Sequence, residues 1–292
     1  MHIEHDPSKN WTEYEKYVEE AAKIKASFLA LPETSLQGFI WTWNEEKKAF
    51  ADTPEQREYY DLTAEAVPGP STIRMAALAK NHNLYIQFGL IEKALVNDRK
   101  TKFNTAVLVG PEGFVGAYRK VHGAFNPVFE YGNSFNVYDT QLGKLGSVIC
   151  ADIMYTESVR CVALKGAEIV VNSTAWSIEE SPETDYRGYR YEILCKAHAL
   201  MNQVWFISSN EVGKGGHSTS NCYGHSMIVD PAGRVVVDSG YKEGLVSASV
   251  DLKGGMDEAI RLSGKFLRRR RPDAYQEIVR QSSTPIPVDY AR

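Results

Sequence analysis

Three ionisable residues stand at the ends of short apolar runs in this chain. Residues 146–149 (Gly-Ser-Val-Ile) lead into Cys150, residues 28–32 (Phe-Leu-Ala-Leu-Pro) lead into Glu33, and residues 115–119 (Val-Gly-Ala-Tyr-Arg) lead into Lys120. Such runs are typical of strands, so the three side chains are predicted to lie at strand ends rather than in a core. A carboxylate, an ammonium and a thiol together indicate acyl transfer through a thioester.

The chemistry assigns one role to each residue. Free cysteine has a pKa of about 8.5, so a nucleophilic cysteine at neutral pH needs a base, a cation or a helix N-terminus beside it. In the predicted mechanism Glu33 takes the thiol proton and Cys150 attacks an amide carbon. Lys120 and the backbone N–H of Ala151 stabilise the oxyanion. Ammonia or an amine leaves, and water activated by Glu33 hydrolyses the thioester.

Taken singly, each residue has an ordinary structural explanation. A cysteine ending an apolar strand is usually a small core residue, a glutamate after proline is usually a turn residue, and a lysine at a strand end is usually solvated. The conjunction of all three favours catalysis. A catalytically silent scaffold is the non-enzyme alternative. Thiol labelling separates the two, because a catalytic Cys150 is expected to react with iodoacetamide faster than the other cysteines.

The composition is that of a soluble globular protein. The chain has 292 residues, of which 43% are hydrophobic and 24% are charged, enough for a substantial buried core. The net charge of −4 and the sequence pI near 6.0 argue against nucleic-acid binding, which needs a concentrated basic surface. The basic run at residues 268–271 is predicted to be solvated or paired at an interface.

Cysteine and histidine usage argues against disulfides and zinc. The four cysteines lack CxxC spacing, and the seven histidines lack paired metal-binding spacing. The sequence shows no signal peptide and no apolar span of about 18 residues, so membrane insertion is not expected. A reducing, cytoplasmic location is therefore predicted.

The apolar patterning predicts an α/β fold. Strand candidates are residues 28–31, 84–90, 106–109, 146–150, 169–171, 204–208 and 227–229. Helices are predicted from a capping box at Asn10 to about Lys25, and over residues 70–80, 156–165 and 187–201. Turns at 111–113 and 231–233 are predicted to join paired strands, so the sheets are expected to be mixed.

The domain organisation follows from the absence of internal boundaries. No repeat or low-complexity linker divides the sequence, so residues 1–292 are predicted to form one domain. Residues 41–70, rich in aromatic and charged side chains, are predicted to pass over one end of the sheets, where binding loops commonly lie. The tail from about residue 280, with Pro285 and Pro287, is predicted to pack on a partner subunit.

Several motifs along the chain resemble those of the nitrilase superfamily of carbon–nitrogen hydrolases. They are Leu31-Pro32-Glu33 with Gly38-Phe39, Tyr118-Arg119-Lys120-Val121-His122, Ile149-Cys150-Ala151-Asp152 with Glu157 and Arg160, Asn172-Ser173-Thr174-Ala175-Trp176, residues 224–231, and Arg270-Arg271-Pro272 with Tyr275. The resemblance implies that Glu33 is the general base, Lys120 the oxyanion stabiliser and Cys150 the nucleophile. It also implies a four-layer α-β-β-α sandwich with mixed sheets and no metal or organic cofactor. A homodimer or higher homo-oligomer is expected, formed through the helices that flank the nucleophile.

Two of the chain's departures from this pattern bear on the site and on the first sheet. Members often carry a second glutamate between the lysine and the cysteine. Alignment on the Phe-Glu pair puts Glu130 in that slot, whereas alignment on Gly132 puts Phe125 or Asn126 there. Glu130 is the substrate-positioning residue that we expect. The family also usually opens with a strand before its first helix, and here a strand of about five or six residues is missing before Asp6, so neighbouring backbone groups need other partners.

The nucleophile motif predicts a small-molecule amide or carbamoyl substrate rather than a nitrile. Superfamily nitrilases tend to show Cys-Trp-Glu, whereas Cys150-Ala151-Asp152 is closer to the amidase and N-carbamoyl amidohydrolase branches. Asn172 and Trp176 are predicted to bind substrate together with Ala151. The open activities are N-carbamoyl amidohydrolase, omega-amidase and aliphatic amidase, and the alternatives are a nitrilase or an ammonia-supplying amidotransferase subunit.

Overall fold

The computed structural model describes residues 1–40, 43–44, 49–50, 53–122, 128–179, 181, 183–214 and 221–280. The helices are α1 (Pro7–Lys23), α2 (Pro54–Thr63), α3 (Pro70–His82), α4 (Thr156–Leu164), α5 (Tyr186–Asn202), α6 (Leu252–Ser263) and α7 (Gln276–Val279). The strands are β1 (Phe28–Ala30), β2 (Trp43–Asn44), β3 (Ala49–Phe50), β4 (Tyr85–Val96), β5 (Arg99–Gly110), β6 (Gly113–Arg119), β7 (Val137–Thr140), β8 (Gly143–Ile149), β9 (Ile169–Thr174), β10 (Ser177–Ile178), β11 (Trp205–Asn210), β12 (Val212–Gly213), β13 (Asn221–Tyr223), β14 (Met227–Val229) and β15 (Val235–Asp238). Short 3₁₀ turns cover Cys150–Met154, Leu267–Arg269 and Pro272–Ala274.

Two large sheets form the centre of the molecule. The first has the order β1-β4-β5-β6, with β1 parallel to β4 and the other pairs antiparallel. The second has the order β15-β14-β11-β9-β8-β7, with β8, β9 and β11 parallel and the outer strands antiparallel. Smaller sheets are formed by β10-β13-β12 and β2-β3. Both large sheets are therefore mixed.

Three apolar clusters separate four layers. Tyr14 of α1 packs with Phe88 of β4, so the first helical layer covers the first sheet. Tyr191 of α5 packs in a cluster with α4, β8 and β11, so the second helical layer covers the second sheet. Leu108 of β5 and Ile169 of β9 share a cluster between the two sheets. The predicted four-layer α-β-β-α sandwich with mixed sheets is confirmed.

The predicted elements are present, with shifted ends. Each strand candidate overlaps an observed strand, and the helices predicted at 70–80, 156–165 and 187–201 correspond to α3, α4 and α5. The turns at 111–113 and 231–233 join β5 to β6 and β14 to β15. The β4–β5 pair extends beyond the apolar run, because exposed residues such as Lys93 and Lys100 continue the ladder as a two-stranded arm.

The predicted start of the first helix is wrong. The cap is Asp6, whose carboxylate accepts hydrogen bonds from the backbone N–H groups of Ser8 and Lys9, and α1 begins at Pro7. Asn10 lies inside the helix, buried, and its side-chain amide donates to the carbonyl oxygens of Glu4 and Leu36. Asn10 therefore fits the sequence pattern of an N-cap residue, but its side chain hydrogen-bonds to residues outside the helix.

Residues 1–6 contain no strand before α1. Met1 and Ile3 are buried, and the Met1 carbonyl oxygen accepts a hydrogen bond of 3.3 Å from the N–H of Val212. The described residues before α1 therefore pack against the core without joining either large sheet.

Two sequence predictions fall partly or wholly outside the described residues. Of the segment 41–70, the structure describes the β2–β3 backbone, α2 and residues 64–70. The tail from residue 281 lies outside the described residues, so its contact with a partner stays a prediction. Within the described part of the chain, no helix is both long enough and apolar enough to cross a membrane.

Candidate active site

The structure brings Glu33, Lys120 and Cys150 together. Glu33 follows β1, Lys120 follows β6, and Cys150 begins the 3₁₀ turn after β8, so both large sheets contribute to the cluster. All three side chains are buried. Gly89 on β4 permits the approach of the Glu33 turn, since a Cβ at that position would lie 2.3 Å from the backbone nitrogen of Thr34.

The Glu33 carboxylate is held by three donors. Its Oε1 accepts hydrogen bonds from Lys120 Nζ at 2.6 Å and from Asn104 Nδ2 at 2.7 Å. Its Oε2 accepts the backbone N–H of Ala175 at 3.0 Å. Three donors on one buried carboxylate fix its orientation and stabilise its charge.

Lys120 is a buried ammonium paired with that carboxylate. Burial lowers its pKa, but the negative charge of Glu33 and the hydrogen bond to it act against burial, and the pKa lies above its ordinary value. Its backbone is tied on both sides, because its N–H donates to the Asn104 carbonyl oxygen and its own carbonyl oxygen accepts from Gly132. Lys120 is therefore a fixed positive charge.

Cys150 occupies a constrained turn. Its φ is +45°, in the left-handed region that non-glycine residues rarely adopt, and its N–H donates to Asn172 Oδ1 at 2.8 Å. Burial and the Glu33 charge raise the pKa of the thiol to about 12, while Lys120, the Thr174 hydroxyl and the Ala175 N–H act to lower it. At neutral pH the sulfur is therefore a thiol that needs a base to become nucleophilic.

The backbone N–H of Ala175 connects the base to the nucleophile. It donates to Glu33 Oε2 and also acts on the Cys150 thiol. Both reacting groups thus lie beside one peptide unit at the end of β9. Glu33 is close enough to Cys150 for its charge to raise the pKa of the thiol.

Asp152 anchors the turn that carries the nucleophile. Its Oδ2 accepts hydrogen bonds from Tyr118 at 2.7 Å and from the Ile149 N–H at 2.9 Å. Its Oδ1 lies 2.9 Å from both the backbone nitrogen and Nδ1 of His122, whose ring stacks on Tyr155. This network joins the end of β6 to the 3₁₀ turn and gives His122 a structural partner.

A buried glutamine links the two sheets beneath the site. Ser147 of β8 donates to Gln87 Oε1 at 2.7 Å, and Gln87 Nε2 donates to Ser173 of β9 at 3.1 Å. Ser173 in turn donates to the carbonyl oxygen of Leu31, just before Glu33. The strand of the base and the strand of the nucleophile are thereby held in register.

The Asn172 side chain hydrogen-bonds to the protein at both of its ends. Its Oδ1 accepts from Cys150 and its Nδ2 donates to Ser208 at 2.9 Å, so both ends of its side chain are committed to the protein. The structure places Asn172 beside Cys150, and its predicted contact with substrate stays a prediction. Asn172 is a positioning residue for the Cys150 turn.

Trp176 is almost wholly buried beside the site. Its indole N–H donates to the Arg187 carbonyl oxygen at 2.8 Å, and its ring packs against Tyr191. Trp176 shares an apolar cluster with Cys150, so it shapes the surroundings of the nucleophile. Ala151 is buried in the 3₁₀ turn directly after Cys150, and its role in stabilising the oxyanion stays a prediction.

Glu130 is placed away from the catalytic cluster. Its side chain is 51% exposed, and its carboxylate accepts a hydrogen bond of 2.6 Å from Arg99. The expectation that it positions substrate is therefore corrected, because its backbone N–H pairs with Lys102 on the β4–β5 arm and turns the side chain to the surface. The alternatives Phe125 and Asn126 lie outside the described residues.

Sequence reasoning missed Asn104 and Gln87. Both are polar residues in or beside apolar runs of the sequence, and both are buried in the structure, where a polar side chain needs partners. Among the described residues, no group of three or more His, Cys, Asp and Glu side chains is arranged to hold a metal ion.

Comparison with known proteins decides the family. A sequence model described as carbon–nitrogen hydrolase matches residues 1–256. The chain belongs to the carbon–nitrogen hydrolase family. Within this hydrolase, the positions that carry Glu33, Lys120 and Cys150 all fall inside the matched range.

Individual relatives align with nearly the whole length of this hydrolase. It is 29% identical over 280 residues to the omega-amidase NIT2 of Xenopus tropicalis, covering 92% of this chain and 91% of the relative. It is 28% identical over 274 residues to a nitrilase of Pyrococcus abyssi, covering 92% and 94%. The crystal structure of a carbon–nitrogen hydrolase from Helicobacter pylori superposes with a TM-score of 0.79 at 26% identity, covering 96% and 97% of the two chains.

Proposed function

We propose that this carbon–nitrogen hydrolase is an amidase that cleaves a linear amide or N-carbamoyl group through a thioester on Cys150 and releases ammonia. The observation that carries the proposal is the buried Glu33–Lys120 pair, joined at 2.6 Å, acting on a neutral Cys150 thiol. A paired base and cation around a thiol supply proton transfer and oxyanion stabilisation, the two requirements of acyl transfer.

In the first half of the reaction the C–N bond breaks. Glu33 takes the proton from the Cys150 sulfur, and the sulfur attacks the carbonyl carbon to form a C–S bond. The oxygen becomes an oxyanion that accepts hydrogen bonds from Lys120 Nζ and the Ala151 N–H. The tetrahedral intermediate then collapses, and Glu33 gives its proton to the leaving nitrogen.

The second half returns the enzyme to its starting state. Glu33 takes a proton from water, the hydroxide adds to the thioester carbon, and the C–S bond breaks. The departing sulfur takes the proton back from Glu33. Lys120 stays an ammonium throughout, consistent with a pKa above its ordinary value.

The amide preference has support from the nucleophile turn. Cys150 is followed by a small residue, Ala151, and by Asp152, whose carboxylate holds that turn through Tyr118 and Ile149. The named relatives include both an omega-amidase and a nitrilase, so a nitrile substrate is the second candidate. An ammonia-supplying amidotransferase subunit would instead require glutamine as the amide.

The experiment is ammonia release from a substrate panel. The panel contains omega-amides, N-carbamoyl amino acids and amines, glutamine, simple aliphatic amides and nitriles. Cys150→Ala is run beside Cys161→Ala, which removes a half-buried cysteine outside the site. Release from an amide or carbamoyl class that is lost in Cys150→Ala and kept in Cys161→Ala supports the proposal. Release from nitriles alone, or release that survives Cys150→Ala, contradicts it.

Two further expectations accompany the proposal. The enzyme is proposed to act in the cytoplasm on a small molecule without nucleic acid or membrane as partner. It is also proposed to work as a homo-oligomer.

A further inference from the structure

The turn that carries Cys150 has a backbone conformation that depends on its surroundings. Cys150 has a φ of +45°, a value that costs free energy for a residue with a side chain. Such a residue persists only where the contacts around it fix its conformation. The contacts at the two ends of the 3₁₀ turn Cys150–Met154 therefore decide where the sulfur lies.

The end of this turn is held by His198 of α5. Carbonyl groups at the end of a helical turn have no partner within that turn, so they need one elsewhere. Here His198 Nε2 lies 2.7 Å from the carbonyl oxygen of Ile153. The imidazole is buried and stacks on Phe206, so its position is fixed by packing. His198 therefore fixes the Ile153 carbonyl group in turn.

The geometry also decides which nitrogen of His198 carries the proton. A carbonyl oxygen can only accept, so Nε2 must be the donor. Burial and the Arg160 charge lower the pKa of His198 more than the Ile153 hydrogen bond raises it, so the ring is neutral at neutral pH. In the described part of the chain Nδ1 has no hydrogen-bond partner. The contact with Ile153 is therefore the one hydrogen bond that the imidazole makes to these residues.

The start of the turn is held through a chain of side-chain hydrogen bonds that ends at Tyr191 of α5. The Cys150 N–H donates to Asn172 Oδ1 at 2.8 Å, and Asn172 Nδ2 donates to Ser208 Oγ at 2.9 Å. The Tyr191 hydroxyl donates to the same Ser208 oxygen at 2.8 Å. Burial raises the pKa of Tyr191 well above its ordinary value, so the hydroxyl keeps its proton and stays a donor.

Both ends of the turn are thus connected to one helix. Tyr191 and His198 lie seven residues apart on α5, which is about two helical turns, so they share a face of the helix. Both side chains are buried, and Tyr191 lies in the same apolar cluster as Cys150. A single rigid element therefore contacts the turn from below at its start and at its end.

We propose that His198 and Tyr191 are positioning residues that fix Cys150 for attack, each from one end of its turn. The proposal rests on the proposed role of Cys150 as nucleophile. When either hydrogen bond is lost, the turn is free to relax from its left-handed conformation, which moves the sulfur relative to Glu33. A displacement of about 1 Å is enough to lower turnover by about 10 to 100-fold.

Two substitutions of His198 differ in where they place an amide donor. His198→Gln puts an N–H close to the position of Nε2, whereas the shorter His198→Asn puts it close to that of Nδ1. Hydrogen exchange of the peptide covering residues 149–155 is measured by mass spectrometry beside steady-state ammonia release. In His198→Asn we expect exchange about tenfold faster and kcat about 10 to 100-fold lower with KM nearly unchanged, and His198→Gln restores both. Equal exchange and equal kcat in the two variants overturn the role of His198.

Tyr191→Phe tests the other end of the turn and keeps the packed ring, so it also serves if His198→Asn does not fold. The matched control is Tyr85→Phe, which removes another hydroxyl that donates a 2.8 Å hydrogen bond, to Glu112, from a buried tyrosine at the start of β4. Thermal unfolding is measured for both. Only Tyr191→Phe is expected to lower kcat, by about tenfold, and to speed exchange at residues 149–155. Equal kcat and equal exchange in the two variants would mean that Tyr191 supports the fold alone, which overturns its role.

The exchange measurement separates this proposal from the proposed amidase activity. If the wild-type protein releases no ammonia, yet exchange at residues 149–155 rises in His198→Asn and Tyr191→Phe only, the amidase proposal fails and the support of the turn by α5 stands. If the wild-type protein releases ammonia and neither variant changes exchange or kcat, the positioning proposal fails and the amidase proposal stands.

Discussion

At the scale of single residues, the proposed nucleophile and its proposed base are different side chains, Cys150 and Glu33. Cys150 has a pKa of about 12, because burial and the Glu33 charge both oppose the thiolate. Reactivity therefore depends on proton transfer to Glu33 when substrate is in place rather than on a resting thiolate. This reverses the labelling order expected from the sequence, since the half-buried Cys161 is more accessible to iodoacetamide than Cys150 in the free enzyme.

Replacing the base should uncouple labelling from turnover. Glu33→Gln removes one cause of the raised pKa of Cys150, so a larger thiolate fraction is expected between pH 8 and pH 10. The same change removes the general base, so kcat is expected to fall by about 10² to 10⁴-fold. The measurements are the rate of iodoacetamide labelling at Cys150 against pH and steady-state ammonia release. Wild-type turnover in Glu33→Gln would contradict the assignment of the base.

Asn104 is expected to position the base. Asn104→Ala removes the 2.7 Å hydrogen bond to Glu33 Oε1 and leaves the carboxylate freer to rotate. We expect kcat to fall by about 10 to 100-fold with KM nearly unchanged, since misplacement of a catalytic group by about 1 Å costs about that much. Steady-state kinetics with thermal unfolding as a folding check measure this. The control is Asn81→Ala, at an exposed position on α3. Equal kinetics in the two variants would show that Asn104 does not position the base.

At the scale of elements, the sheets place the three side chains that we propose to be catalytic through a few buried polar links. Gln87 of β4 joins the first sheet to β8 and β9 of the second, and Ser173 of β9 hydrogen-bonds to Leu31, just before Glu33. Asn172 and Asp152 hold the turn of the nucleophile from two sides. The catalytic geometry is thus set by strand register and not by the loops alone.

Breaking the link between the sheets should cost stability. Gln87→Ala leaves the Ser147 and Ser173 hydroxyls with fewer partners in a buried site, which is worth about 2 kcal/mol. Tm is expected to fall by about 5 °C, measured by calorimetry. Gln141→Ala, at an exposed position, is the matched control. If both variants unfold at the wild-type temperature, the link is unimportant for stability.

The sequence predicted the catalytic cluster but not its supports. Glu33, Lys120 and Cys150 stand at strand ends, a position that local apolar patterning reveals. Asn104 and Gln87 have no such signal, because their partners come from strands distant in sequence and are fixed only by register.

Two other predictions failed for physical reasons of the same kind. Glu130 was expected in the site from its spacing, but pairing with the β4–β5 arm directs it to Arg99 at the surface. Asn10 was expected to be the N-cap residue of α1, but Asp6 has that role. In each case a nonlocal hydrogen bond decided the outcome.

At the scale of the whole molecule, we propose that α4 and α5 form the contact between subunits. Leu164, Ile193 and Leu200 on these helices are exposed, although the helices lie against the nucleophile segment. Apolar side chains that share one surface favour burial against another copy.

Leu200→Glu is expected to weaken self-association by at least about tenfold, because it puts a charge where apolar contact is proposed. Light scattering after gel filtration across a dilution series measures the mass. Leu62→Glu is the control, since Leu62 is 78% exposed on α2, away from this face. A monomeric wild-type protein, or equal masses for both variants, contradicts the proposed contact.

The central claim is that Cys150 carries the acyl group of the substrate during turnover. The most direct measurement is acid quenching of the enzyme during steady-state hydrolysis of the best panel substrate, followed by intact-protein and peptide mass spectrometry. The predicted result is a mass increase equal to the acyl group, confined to the peptide that contains Cys150 and absent from Cys150→Ala. Sustained ammonia release by Cys150→Ala, with no adduct on the wild-type enzyme, would contradict the account.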